Sequence, residues 1–159
     1  MYTENEVLKA VDELSVFIGL KALELNALGY GHFIAENAPN TFKELKERST
    51  GGVIPISGDN SENCLFPAYV NYLLRFWHDY LHLKHNLDFT FTDEIKVGEL
   101  HIQEGKEAGL SYLAIEILRA DTIGQSNYHK RHGEFPVYQD AFVYSCLQHG
   151  INKAIIAKH

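Results

Sequence analysis

Apolar residues recur at helical spacing along most of the chain. Val7, Val11, Leu14, Phe17, Ile18, Leu25 and Leu28 mark a first helix over residues 4–28, stopped by Gly29. A second amphipathic stretch starts at Pro67, a residue suited to the first helical turn, and runs to about Asn86. Val70, Leu73, Leu74, Trp77 and Leu81 form its stripe. After a turn at Asp88–Phe91, Thr92 is the expected cap of a long helix. Asp93 and Glu94 stand in its first turn, where the helix dipole favours anions. This helix is expected to pass through Leu118 and, with a bend, to reach Arg131. Gly98, Gly105 and Gly109 lie inside it, each costing about 1 kcal/mol relative to alanine, so they predict another backbone at close range. The run His132-Gly133-Glu134-Phe135-Pro136 ends it, and Val137 to about Lys158 reads as the last helix.

Between these stretches, residues 30–66 are the least periodic. They hold a short helix over 41–48, capped by Thr41 or Asn40, and a Gly/Ser/Asn-rich loop from Ser49 to Asn63 with Val53–Ile56 as its one extended piece. Such a segment is usually a lid, a binding loop or a partner surface. The expectation is one all-α domain over 1–159, a compact bundle of about four to six helices with a long irregular segment at about 30–66. No repeat, low-complexity tract or interdomain linker interrupts it.

Composition narrows the function. The 159 residues are 45% hydrophobic and 22% charged, an ordinary globular balance with room for one real core. A net charge of −7 repels phosphate backbones and argues against nucleic acid as a partner. A small phosphorylated ligand stays open, because a bound cation reverses the local field. Cys64 and Cys146 form no CxxC pair, so neither a disulfide scaffold nor a thiolate zinc site is indicated. Glu4, Glu6, Asp12 and Glu13 stand where a secretory signal would be basic and then apolar, and no stretch nears the roughly 20 apolar residues of a membrane span. The expected setting is the cytoplasm, away from membranes, with a second copy or a host protein as candidate macromolecular partner.

The chemistry concentrates within 78–125. In His78-Asp79-Tyr80-Leu81-His82 two imidazoles sit four residues apart on one helix face, with His85 near the same line, beside the stripe of Trp77 and Leu81. A single histidine in that place is usually a hydrogen-bonded core residue; the pair with Asp79 points to a metal. Asp121 continues the apolar stripe Leu110, Ala114, Ile117, and a core carboxylate costs several kcal/mol unless paired with a cation. A salt bridge or a cap at a helix bend is the plainer explanation. Gln125 follows one turn later. Glu94 and His101, seven residues apart, share a face with Gly98 and Gly105. The expected ligands of a divalent ion (Mn, Co, Ni, Mg, Fe or Zn) are His78, Asp79, His101 and Asp121. His82 and Glu94 are the expected proton carriers, and Gln125 supports the ligands from outside. His129 and His132 are expected to face solvent.

Two resemblances follow. His78-Asp79, with Ala120-Asp121-Thr122-Ile123 further on, resembles the HD-domain metal phosphohydrolases. That resemblance implies an all-α fold, metal ligation by His78, Asp79 and Asp121 with an earlier histidine, and a proton- or phosphate-handling role for His82. His32, in Tyr30-Gly31-His32-Phe33, is the only histidine before His78. The pattern His78-Asp79-Tyr80, Glu94-x6-His101 and Asp121-Thr122-Ile123-Gly124-Gln125 also resembles a group of uncharacterised helical proteins of tailed phages and mobile elements. It implies a single cluster of these residues, a phage origin and a host cytoplasm.

The residues favour a metal-dependent hydrolase, a phosphohydrolase acting on a nucleotide or small phosphate ester. One alternative is a phage-encoded binding protein whose polar or metal cluster only specifies the core. The other is a zinc peptidase using His78-Asp79-x-x-His82, with Glu99 or Glu104 as third ligand and an acid one methylene shorter than the usual glutamate.

Overall fold

Helix α1 (Glu4–Ala27) begins at a reciprocal cap: Thr3 Oγ1 accepts from the Glu6 N–H, and the Glu6 carboxylate accepts from the Thr3 N–H. It ends with Gly29 at φ +92°, whose N–H donates to Asn26 O while that of Tyr30 donates to Leu25 O. Its buried face carries Val7, Val11, Leu14, Phe17, Ile18 and Leu25. Residues 1–159 are all described by the structure, a computed structural model.

The segment after α1 holds more order than its composition suggests. Strand β1 (Gly31–Ala35), helix α2 (Phe42–Arg48, capped by Thr41), a 3₁₀ turn at Thr50–Gly52 and strand β2 (Val53–Ser57) make a parallel crossover. Gly31 pairs with Val53 and Ala35 with Ser57 in a two-stranded sheet. Ile54 and Ile56 are fully buried, which explains the extended piece at 53–56. Strand β1 shows no alternation of apolar and polar residues and is visible only through its partner.

Helix α3 (Ala68–His85) follows Pro67 and stops at Asn86, which adopts the left-handed conformation (φ +51°) where glycine is commoner. Helix α4 (Phe91–Glu107) is capped by Thr90, not Thr92: Thr90 Oγ1 accepts from the Asp93 N–H. The long helix expected to follow is broken. Gly109 (φ +79°) ends α4, with its own N–H donating to Lys106 O and that of Leu110 to Gly105 O. Ser111 then caps helix α5 (Tyr112–Arg119). A glycine followed two residues later by serine is a stop and a start, and apolar periodicity alone ran through both.

The bend lies at Ala120–Gly124, a π-helical turn leading into helix α6 (Gln125–His132). The final stretch is α7 (Gln139–His149) and α8 (Ile151–Ala154), divided at Gly150. The fold is predominantly helical. Its buried apolar side chains form one continuous core in which Phe17 of α1 meets Trp77 of α3 edge to face at 5.4 Å. Both cysteines are free, and no helix is long and apolar enough to cross a membrane.

Two interior glycines are closely covered, but by side chains rather than by the backbone that the sequence suggests. A Cβ on Gly98 would lie 2.5 Å from Ile123 Cγ1, and one on Gly105 would lie 3.0 Å from Ile115 and Leu110. Gly98 therefore lets α4 press against the π turn that carries Asp121.

Candidate metal centre

Helices α3 and α4 form a hairpin through the short link 86–90, which sets the end of one beside the start of the other. His78 and His82 lie one turn apart on α3, and Glu94 stands in the first turn of α4. His78 Nε2 is 3.0 Å from Glu94 Oε2, His82 Nε2 is 3.3 Å from Glu94 Oε1, and the two Nε2 atoms are 3.2 Å apart. One ligand atom from each of the three residues lies within 4.8 Å of the others, so the group could hold a metal ion.

The ring orientations are fixed from behind. His82 is fully buried and its Nδ1–H donates to Leu87 O at 2.9 Å, which leaves Nε2 with a lone pair toward the group. His101 is also fully buried, with Trp77 edge-on at 4.0 Å and the His78 ring stacked at 12°. Its Nε2 lies 3.1 Å from His78 Nδ1. For His78 to present a lone pair at Nε2, its proton sits on Nδ1 and is donated to His101. That assignment leaves the buried His101 Nδ1–H without a partner, a cost of about 1–3 kcal/mol that ligation has to exceed.

Charges follow the geometry. Burial alone would raise the Glu94 carboxyl, but the hydrogen bonds and charges of His78 and His82 hold it well below the usual carboxylate range. Burial pushes His78 down, and the hydrogen bond and charge of Glu94 outweigh it, so its net shift is upward. Burial, helped by the charges of His78 and His82, drives His101 well below the ordinary histidine value. It is a neutral ring.

Residues expected to bind metal are distributed around this group. His78 belongs to it. His82 and Glu94, expected as proton carriers, supply its other two ligand atoms. His101 backs His78 from the side away from Glu94. Asp79 lies in the wall of an adjoining cavity of about 630 Å³, and burial pushes its carboxyl up to about 6 against the pull of His78 and His82. Asp121 lines a cavity of about 410 Å³ that also touches His78 and Glu94. Burial raises it to about 6 too, opposed by Arg75 and by Gln125, whose Nε2 donates to Asp121 Oδ1 at 2.7 Å. With the two imidazoles and the glutamate, neither aspartate lies inside the 4.8 Å group.

Other candidates lie elsewhere. His32 stacks on Phe76 at 4.6 Å. Exposed His85 ends α3. Glu99 pairs with Arg119 and Glu104 with Lys21, and neither lies in the group of His78, His82 and Glu94. His129 is exposed as expected, whereas His132 is half-buried and donates from Nε2 to Ile155 O at 2.8 Å.

Arg75 and Asn71 join the cleft wall, and a signal for them stands in the sequence: residues 71, 75, 78 and 82 form a polar stripe of helical spacing on α3. Arg75 donates through Nη1 to Ser57 O at 2.7 Å and through Nη2 to Asp59 O, tying the β2–α3 loop to the cavity wall. Comparison with family models, with curated proteins and with solved structures finds no match in any of the three. What the site does rests on its chemistry alone.

The centre opens to solvent. The side chains of His78 and Glu94 are 26% and 24% exposed, on the walls of both cavities. Ser57, Arg75, Ser126 and Phe135 also border both, so the two form adjoining parts of one cleft.

Proposed function

We propose that this chain is a metal-dependent hydrolase acting on a small phosphate ester or nucleotide, with His78, His82 and Glu94 holding a divalent ion. The observation that carries the reading is the convergence of two imidazoles and one carboxylate on a single point in a solvent-open cleft. Two nitrogens and one oxygen suit a borderline ion such as zinc, iron, cobalt, nickel or manganese, with positions left for water and substrate. When bound, such an ion lowers the pKa of water and polarises a phosphoryl oxygen.

The chain's own residues supply the rest. Asp79, raised to about 6, can accept a proton near neutral pH and return it to a leaving group. Arg75 and Lys130 line the larger part of the cleft and favour an anionic substrate there. Leu87 O and His101 orient the two imidazoles so that little reorganisation is needed.

The test is elemental analysis of chain purified without chelator, then phosphate release from a panel of nucleotides and phosphomonoesters with Zn, Mn, Co, Ni or Mg. Metal in the wild type and its loss in Glu94→Gln support the reading. A folded, metal-free chain that takes up none of these ions would sink it. A second reading, a zinc peptidase, is favoured by one observation: the trio is two histidines spaced as in HExxH with a glutamate on the next helix. Metal-dependent cleavage of casein without phosphate release would select it.

A further inference from the structure

The smaller part of the cleft, which also touches His78, carries a wall of amides. Asn71, Gln125 and Gln139 come from α3, α6 and α7, are 3%, 7% and 5% exposed, and line the same cavity as Asp121. Their hydrogen bonds fix which end of each amide is spent. Ser61 Oγ donates to Gly58 O, so it accepts from Asn71 Nδ2, leaving Asn71 Oδ1. Gln125 Nε2 donates to the Asp121 carboxylate and, at 3.4 Å, to Gln139 Oε1, leaving Gln125 Oε1 and Gln139 Nε2. With Asp121 Oδ2, these four side chains offer three acceptor oxygens, and as donors Gln139 Nε2 and the second N–H of Asn71, without a partner within the chain. These atoms reach the solvent of the cavity, and a ligand that displaces that water has to match their pattern, because a mismatch leaves a desolvated group unpaired.

We propose that this wall is a recognition site for the amino-bearing edge of a nucleobase, with Asp121, Asn71 and Gln125 accepting from adjacent N–H groups and Gln139 donating to a ring acceptor. Asp121 is then a specificity residue rather than a metal ligand. A carboxylate and side-chain amides are the groups that read base edges elsewhere in protein–nucleic acid recognition. Phe135, 50% exposed and shared by both parts of the cleft, stacks on His129 at 4.6 Å, so a planar heterocycle has only its other face to stack on. Guanine carries three N–H groups on one edge, N1–H and the two of N2, with ring N3 beside them, and cytosine carries the two of N4 beside ring N3; uracil offers one N–H between two carbonyl oxygens, where the wall is already rich in acceptors. This names the substrate class of the proposed hydrolase and rests on that reading for its catalytic meaning.

The experiment separates the two. Guanosine, cytidine and uridine, all without phosphate, are titrated calorimetrically into chelator-treated chain at about pH 8. Guanosine or cytidine is expected to bind at least about tenfold more tightly than uridine, the equivalent of one lost charge-assisted hydrogen bond. Asp121→Asn, which turns one acceptor into a donor, is expected to abolish that preference while zinc uptake stays within about twofold of wild type. Gln139→Leu is expected to weaken all three nucleosides with an unchanged preference order. Equal binding of the three, no binding at all, or a preference that survives Asp121→Asn overturns the proposal. Loss of zinc uptake in Asp121→Asn also overturns it, by returning Asp121 to the ligand set. Discrimination without metal uptake or hydrolysis would remove the hydrolase reading and leave the base site standing.

Discussion

The Nε2 atoms of His78 and His82 lie 3.2 Å apart, and Glu94 reaches both within 3.3 Å. Two ring nitrogens at that separation cannot both direct lone pairs at one carboxylate without a cation among them. A proton serves in part, since His78 is shifted upward beside Glu94; a divalent ion serves all three at once.

The first prediction concerns that ion. If it binds only the folded chain, then at 100 times Kd it stabilises by about 2.7 kcal/mol, a rise in Tm of roughly 5–10 °C for a chain of this size. Glu94→Gln keeps the side-chain shape and removes the charge. It is expected to erase the shift and to lower metal affinity by more than about 100-fold, measured by competition with a chromogenic chelator.

His101 is expected to act by positioning. His101→Phe keeps the packing against Trp77 and the parallel stack on His78, but removes the partner of His78 Nδ1. Metal affinity should fall about 10–100-fold with the melting temperature of the chelated protein nearly unchanged. A complete loss of binding would instead make His101 a ligand.

Asp121 gives a pH signature in chelator. Its carboxyl is raised from 3.8 to about 6, so the folded chain holds the proton more tightly than the unfolded chain. Stability from this group is therefore greatest below about pH 4 and is lost as pH rises through about 6. Asp121→Asn, neutral throughout, should exceed the wild type by up to about 3 kcal/mol above pH 7 and match it below about pH 4. Chemical denaturation at the two pH values reads the difference; a variant less stable than wild type at high pH would show Asp121 to be compensated where it stands.

Gly98 tests the seating of the π turn. Gly98→Ala gains about 1 kcal/mol of helix propensity but drives a methyl to 2.5 Å from Ile123 Cγ1. The expected outcome is a net loss of about 1–2 kcal/mol in the wild-type background and no further loss when the same change is made in Ile123→Ala, the coupling that a double-mutant cycle reads.

Local patterns in the chain determined the helices and which face of each is apolar, because both follow from spacing and capping within a few residues. Thr3, Pro67 and Gly29 act on their neighbours, so their effect is readable without a fold. The same local logic failed where two signals abutted: Gly109 and Ser111 ended and restarted a helix whose apolar period ran on unbroken. Strand β1 depends on hydrogen bonds to β2 some twenty residues away, and nothing in Gly31-His32-Phe33-Ile34-Ala35 announces it. The residues of the cluster were legible as polar groups on apolar faces. Which of them share a point was not, because that depends on how α3 crosses α4. That crossing brings Glu94 to the pair His78 and His82, already one turn apart on α3, and the packing of α7 brings Gln139 to Gln125, since side-chain reach is a few ångströms and only packing sets which helices come that close.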